Sequence, residues 1–97
     1  MVQTVYSTTV LAGEKKKLFV RPRHLHRIFF SIRVFADQAA WYETKISFDD
    51  PQFRSFYVLN GPAKYFEAEG VDIFQGDIWV YNLSSTNLLY TTTEILH

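Results

Sequence analysis

The feature that most constrains this chain is a two-residue alternation along residues 27–35. The even positions are all apolar and the odd positions are mixed: Ile28, Phe30, Ile32 and Val34 against Arg27, Phe29, Ser31, Arg33 and Phe35. A period of two places successive side chains on opposite faces of a β-strand, and β-branched and aromatic residues favour strands. The segment is therefore predicted to be a strand with one buried face.

Similar segments recur along the chain. Trp41–Phe48 alternates in the same way, whereas Asp77–Leu83 is apolar on both faces, which is typical of a strand covered on both sides. No segment has a convincing helical period, although residues 63–69 could form a short helical turn. Turn-forming residues, Glu69-Gly70 among them, separate the remaining strand candidates, which are Thr4–Leu11, Lys17–Arg21, Ser55–Leu59, Ala63–Ala68 and Leu88–Leu96.

Seven or eight short strands in 97 residues predict an all-β protein. The expected architecture is a single antiparallel β-sandwich, a jelly-roll-like domain spanning residues 1–97, because the length suits one core and no linker divides it. The predicted core residues are Ile28, Phe30, Ile32, Ile46, Phe48, Val58, Ile78 and Val80.

The chain has more large apolar side chains than that core can hold. Aromatic residues make up 18% of the sequence, and a domain of this size leaves much of its surface exposed. Aromatic residues mixed with arginine are typical of protein interfaces. We therefore expect a homo-oligomeric or partner interface, although some of the rings could simply cover the open ends of the sandwich. The interface candidates are Phe29, Phe35, Trp41, Trp79 and Tyr81.

The charges are unevenly distributed although the formal net charge is zero. Residues 1–33 carry a net charge of +6, and residues 34–97 carry −6. Two such halves could pair strand against strand within one subunit, or they could present complementary faces to neighbouring subunits.

Motifs that would indicate an enzyme are missing from the sequence. There is no cysteine, no nucleophile elbow, no phosphate-binding glycine loop and no zinc-protease helix motif. His24 and His26 share one strand face at a spacing that suits a metal, but no third ligand is evident and neighbouring arginines disfavour a cation. Asp49-Asp50 and Glu67-x-Glu69 fit a turn and an exposed strand face better than a pair of catalytic carboxylates. We expect no catalytic residue, no cofactor and no metal site.

The sequence also bears on three further functional classes, which are membrane proteins, nucleic-acid-binding proteins and carbohydrate-binding proteins. No run of about 18 apolar residues predicts a membrane helix, and the N-terminus lacks a signal-peptide pattern. Residues 15–27 are basic and contain Phe19, which suits a single-strand nucleic-acid-binding barrel, but zero net charge and a simple hairpin tip at Lys15–Lys17 argue against it. Trp41, Trp79 and Tyr81 could instead stack on sugar rings in a carbohydrate- or ligand-binding module.

Three dipeptides mark the order of strands and turns in this chain. They are Ala12-Gly13, Gly76-Asp77 and Glu94-Ile95, within the segments Thr8–Glu14, Leu18–Pro22, Arg27–Ile32, Gly70–Asn82 and Thr91–Ile95. This order resembles small β-sandwich accessory proteins of tailed bacteriophages, which typically have an Ala-Gly turn, a Gly-Asp turn before an edge strand, and a closing strand that ends in Glu-Ile. The resemblance implies a non-enzymatic structural role in the virion, as a capsid decoration, neck or tail component present in several copies.

Overall fold

The computed structural model describes residues 2–22, 24, 27–36, 42–48, 56–61, 65–72 and 76–97, without the side chains of 42, 43, 56–61, 66 and 72. These residues include no helix that could cross a membrane. They form eight strands, which are β1 (Gln3–Val10), β2 (Lys15–Phe19), β3 (Ile28–Ala36), β4 (Tyr42–Ser47), β5 (Phe56–Gly61), β6 (Tyr65–Asp72), β7 (Ile78–Asn82) and β8 (Leu89–Leu96).

The strands pair in a nested order. The first strand pairs with the last, the second with the seventh, the third with the sixth, and the fourth with the fifth, all antiparallel. Two more ladders, β3 with β8 and β4 with β7, complete a sheet of order β1-β8-β3-β6 and a sheet of order β2-β7-β4-β5. We call these the long sheet and the short sheet, because their strands have eight or nine and five or six residues respectively. This order is that of a jelly roll, which confirms the predicted antiparallel β-sandwich.

The core lies between the two sheets, on the inner faces that the alternation predicted. Along β3 every even position is buried, and Ile28, Ile32 and Val34 have no exposed surface. Seven of the eight predicted core residues are buried, and the side chain of Val58 lies outside the described part. The complete buried apolar cluster is Val10, Leu18, Phe19, Ile28, Phe30, Ile32, Val34, Ala36, Ile46, Phe48, Ile78, Val80, Leu89 and Ile95.

Two details of β6 settle alternatives raised by the sequence. The predicted strand Ala63–Ala68 is confirmed for residues 65–68, where no helical turn forms, whereas the turn predicted at Glu69-Gly70 is wrong, because both residues continue the strand. Gly70 pairs with Phe30 of β3, and a Cβ atom built on Gly70 would lie 3.4 Å from the Phe30 ring. The glycine therefore marks a close approach of a ring to the backbone and not a turn. Such close approaches are a common reason for glycine within a strand.

A second difference concerns the basic segment Lys15–Lys17. It lies within β2, an edge strand of the short sheet, and not at a hairpin tip. The register of β2 against β7 shifts between Lys17 and Phe19, so that Leu18 and Phe19 are both buried although they are adjacent. A bulge of this kind adds one residue to a strand and interrupts its alternation.

Candidate interaction faces

The outer face of the long sheet is a regular grid of exposed and half-buried side chains. Strand pairing aligns them in four rows across β1, β8, β3 and β6, with the apolar and aromatic groups concentrated in the two end rows. The rows are Gln3-Leu96-Phe29-Val71, Val5-Glu94-Ser31-Glu69, Ser7-Thr92-Arg33-Glu67 and Thr9-Tyr90-Phe35-Tyr65.

The two end rows leave large apolar groups in contact with water. In one, Phe35 is 46% exposed and its ring lies 4.7 Å from that of Tyr65, at an interplanar angle of 43°. In the other, Phe29 is 38% exposed and the Arg27 guanidinium lies 5.3 Å from its ring centroid. Contiguous exposed apolar groups bordered by polar ones are typical of interaction surfaces.

The two middle rows carry the charge of this face. Arg33 lies between two carboxylates, with Nη2 3.5 Å from Glu94 Oε1 and Nε 4.0 Å from Glu67 Oε2. Tyr65 donates a hydrogen bond of 2.8 Å to Glu67 Oε2, and this bond raises the pKa of the Tyr65 phenol above its usual range. With Glu69, the four rows hold three carboxylates and one guanidinium, and the Arg27 guanidinium over Phe29 brings the formal charge of this face to −1.

A depression of about 430 Å³ lies at the Phe29 end of the grid. Its lining combines apolar side chains with the carboxylates of Glu69 and Glu94, which lie on either side of the small Ser31. The complete lining is Gln3, Phe29, Phe30, Ser31, Glu69, Gly70, Val71, Glu94 and Leu96. An apolar wall beside paired acidic groups suits a lysine or arginine side chain, whose stem is aliphatic and whose end is cationic.

The outer face of the short sheet has the opposite character. Lys15 Nζ lies 5.1 Å from the centroid of the Tyr81 ring, and Lys17 Nζ lies 5.0 Å from that of Trp79. Lys17 also pairs with Asp77 at 3.4 Å, and Lys45 of β4 is aligned with Tyr81. The outer side of β7 is thus covered by lysine side chains of a neighbouring strand, which accounts for its two apolar faces.

Ion pairs join the two oppositely charged halves of the chain within one subunit. Lys17 and Arg33 belong to the basic part of the sequence, and their partners Asp77, Glu67 and Glu94 belong to the acidic part. The nested strand order explains this pairing, since it brings early strands beside late ones.

The structure separates the predicted interface candidates into two groups. Phe29 and Phe35 lie on the outer face of the long sheet, and Trp79 and Tyr81 lie on that of the short sheet. Trp41 lies outside the described residues. The use of these residues in an interface remains a prediction.

Several exposed residues of the long sheet were not singled out from the sequence. Tyr65, Val71, Tyr90 and Leu96 are not among the interface candidates predicted from the sequence, yet all four line the grid beside Phe29 or Phe35. Alternation within a strand can assign each of these residues to one face of that strand. It does not specify the register between strands, which brings them together on a common surface.

The predicted histidine pair and the acidic pairs bring no metal site together in the described part of the chain. His24 is exposed there, and His26, Asp49 and Asp50 lie outside it. The described residues contain no group of three potential metal ligands.

Comparison with models of known protein families and with curated proteins finds no match.

Proposed function

We propose that this protein is a non-enzymatic structural protein of a virion, a capsid decoration, neck or tail component that assembles through the faces of its β-sandwich. The outer face of the long sheet carries this proposal. It leaves large apolar side chains exposed at both of its ends, on either side of the charged middle rows: Val5, Phe29, Val71 and Leu96 at one end, and Phe35, Tyr65 and Tyr90 at the other. Covering such groups with another protein removes them from water, at roughly 25 cal/mol per Å² of apolar surface.

The fold and the resemblance support the same role. Jelly rolls are the building units of many viral capsids, although they also occur in lectins and in enzymes, so the fold alone does not assign the function. The resemblance to bacteriophage accessory proteins favours the viral use, and it implies a protein present on the virion in several copies.

Particles produced by the genome that encodes the chain provide the test. We expect the protein to band with purified particles in a fixed copy number, and immunogold labelling to place it at one part of the particle. Absence of the protein from purified, infectious particles would refute the virion assignment.

A substitution on the long-sheet face tests whether that face is used. Phe35→Ser should reduce the copy number on the particle while the circular dichroism spectrum stays unchanged. Val20→Ser is the matched control, because Val20 is 60% exposed but follows β2 and lies outside the grid. Equal incorporation of the two variants would exclude this face as the attachment surface.

A carbohydrate- or ligand-binding module is the second candidate, because Trp79 and Tyr81 lie two residues apart on one outer face. Aromatic rings at this spacing suit stacking on sugars once the lysine over each ring moves aside, and these lysines favour an anionic sugar. Titration with a glycan panel should then quench tryptophan fluorescence saturably, and Trp79→Phe should abolish the effect. The absence of saturable quenching would exclude this candidate.

A further inference from the structure

The two outer faces of the sandwich carry opposite charge. Among the described side chains, the outer face of the short sheet holds Lys15, Lys17 and Lys45 with one carboxylate, Asp77, beside Lys17. The outer face of the long sheet has three glutamates against Arg33 and the Arg27 that lies over Phe29, a formal charge of −1. Because the sheets pack through their inner faces, these two outer faces point in opposite directions. A second copy can therefore bring the basic face against the acidic one only by stacking front to back.

The spacing of the charges is similar on the two faces. Lys15 and Lys17 lie two residues apart on the edge strand β2, so they repeat at roughly 6.8 Å along it. Glu69 and Glu94 lie in one row on either side of Ser31, two strand spacings or roughly 9.6 Å apart, and flexible lysine side chains can take up the difference. Each charged pair also adjoins exposed or half-buried aromatic residues, Trp79 and Tyr81 on one face and Phe29 and Phe35 on the other.

We propose that copies of this chain stack front to back, with Lys15 and Lys17 of one copy lying over the depression between Glu69 and Glu94 of the next. This inference rests on the proposed function and names a second copy of the chain as the partner. The lysine stems would pack on the apolar wall of the depression, and their ammonium groups would lie beside its two carboxylates.

Pairing of like faces is disfavoured by the same charges. Two long-sheet faces would bring two surfaces of net negative charge together, and two short-sheet faces would bring lysines together. A contact between unlike faces leaves each copy with one free face, so it repeats into a ring if the rotation closes and into a filament if it does not.

The size of the faces limits the strength of one contact. Four strands at about 4.8 Å spacing and five or six residues long give the short sheet a footprint of roughly 350 Å², or about 700 Å² counted on both partners. This is below the roughly 1,200–2,000 Å² of stable complexes. Association of free subunits is therefore weak and concentration-dependent, and a ring gains stability because each subunit makes two contacts.

Sedimentation of the purified full chain, from micromolar to millimolar concentration, tests the proposal. We expect the average mass to rise with concentration at about 50 mM salt and to fall back at about 500 mM, where the screening length is only about 4 Å. Association that is insensitive to salt would contradict a charge-matched contact.

Two double variants, each of which neutralises charges on one outer face, identify which faces are in contact. Lys15→Gln/Lys17→Gln retains only the acidic face, and Glu69→Gln/Glu94→Gln retains only the basic one. Each should be monomeric alone at concentrations where the wild type associates. Their equimolar mixture should form 1:1 dimers and nothing larger, because only one productive pair of faces remains.

Lys16→Gln is the matched control, since Lys16 lies between the two altered lysines but donates a 2.9 Å hydrogen bond from Nζ to the Thr9 carbonyl. It should associate like the wild type. Self-association of either double variant to the wild-type extent would overturn front-to-back stacking in favour of a like-face contact. A monomeric wild type at millimolar concentration would overturn self-stacking. The proposed function would not fall with it, because that is decided by whether the protein is incorporated into particles.

Discussion

At the scale of single residues, the buried side chain of Asn82 fixes the end of β7. It has no exposed surface, its Nδ2 donates to the carbonyls of Val10 at 3.2 Å and Asn87 at 2.8 Å, and its Oδ1 accepts from the Ser84 amide at 3.1 Å. One amide therefore ties the end of β1 to the loop between β7 and β8. Buried polar groups with this many partners stabilise a fold mainly because leaving the partners unpaired is costly.

Asn82→Ala should destabilise the protein by about 3 kcal/mol, since it removes three hydrogen bonds worth about 1 kcal/mol each. Urea unfolding followed by circular dichroism measures the change. Asn87→Ala is the matched control, because Asn87 is equally buried but neither polar atom of its side chain has a hydrogen-bond partner among the described residues. A loss for Asn82→Ala no greater than that for Asn87→Ala would contradict this role.

The Tyr65–Glu67 hydrogen bond makes a pH-dependent prediction. It raises the pKa of the phenol in the folded state, so it stabilises the fold at pH values below the unfolded pKa and the contribution is lost as pH rises through the folded pKa. An NMR titration of the tyrosine Cζ resonances should show a Tyr65 midpoint above that of free tyrosine, and Glu67→Ala should lower it. Glu69→Gln, on the same strand, should leave it unchanged; an equal shift would assign the effect to the general charge of the face.

At the scale of elements, the turn between β1 and β2 requires a specific backbone conformation. Gly13 has φ of +75°, and its amide donates to the Asn82 carbonyl at 2.9 Å. The turn is closed by a bond from the Glu14 amide to the Leu11 carbonyl at 3.0 Å. Residues with a side chain adopt this left-handed region at a cost of about 1 kcal/mol or more.

Gly13→Ala should therefore destabilise the protein by about 1 kcal/mol. No atom lies within 4 Å of a Cβ built on Gly13, so the loss would be conformational and not steric. Gly13→Asn should recover part of it, because asparagine tolerates the left-handed region better than alanine. Thermal unfolding of the three proteins would show this order, and equal stability of alanine and asparagine would refute the conformational explanation.

At the scale of the whole molecule, the nested strand order brings the two ends of the chain together. The Val2 amide donates to the His97 carbonyl at 2.7 Å, and the His97 amide donates to the Val2 carbonyl at 2.9 Å. The β1–β8 ladder thus continues to the last residue, between positions 95 residues apart in sequence. Ladders this distant along the chain are slow to form, as in other β-sandwiches.

A circular permutant should therefore fold. Joining Val2 and His97 through a short glycine-rich linker and opening the chain between Ser85 and Thr86, exposed residues of the β7–β8 connection, should retain stability to within about 1 kcal/mol. Opening between Thr92 and Thr93 instead interrupts β8, which is paired on both sides, and should abolish folding. Near-ultraviolet circular dichroism and urea unfolding distinguish the two, and equal folding of both permutants would contradict the ladder's importance.

Prediction from sequence succeeded for the individual strands and failed for features that depend on how the strands pair. All eight strands were anticipated, because the alternation in β3 and β4, the β-branched residues of β8 and the turn residues between segments are local properties of the sequence. The bulge in β2 and the continuation of β6 through Gly70 were missed, since each depends on a partner strand. On the outer face of the long sheet, Phe29 and Phe35 were predicted as interface residues, but the neighbours that complete their surface were not.

The sequence by itself determined that this chain is all-β, that it has one core, and which side of most strands enters it, because hydrophobic period and turn residues are local properties. Only the tertiary structure decided which strands are neighbours, and hence that Arg33 lies between Glu67 and Glu94 and that lysines cover Trp79 and Tyr81. The same nested order separated an acidic outer face from a basic one. Strand register is set by packing of the whole chain, so the charge of a face cannot be obtained from any one segment.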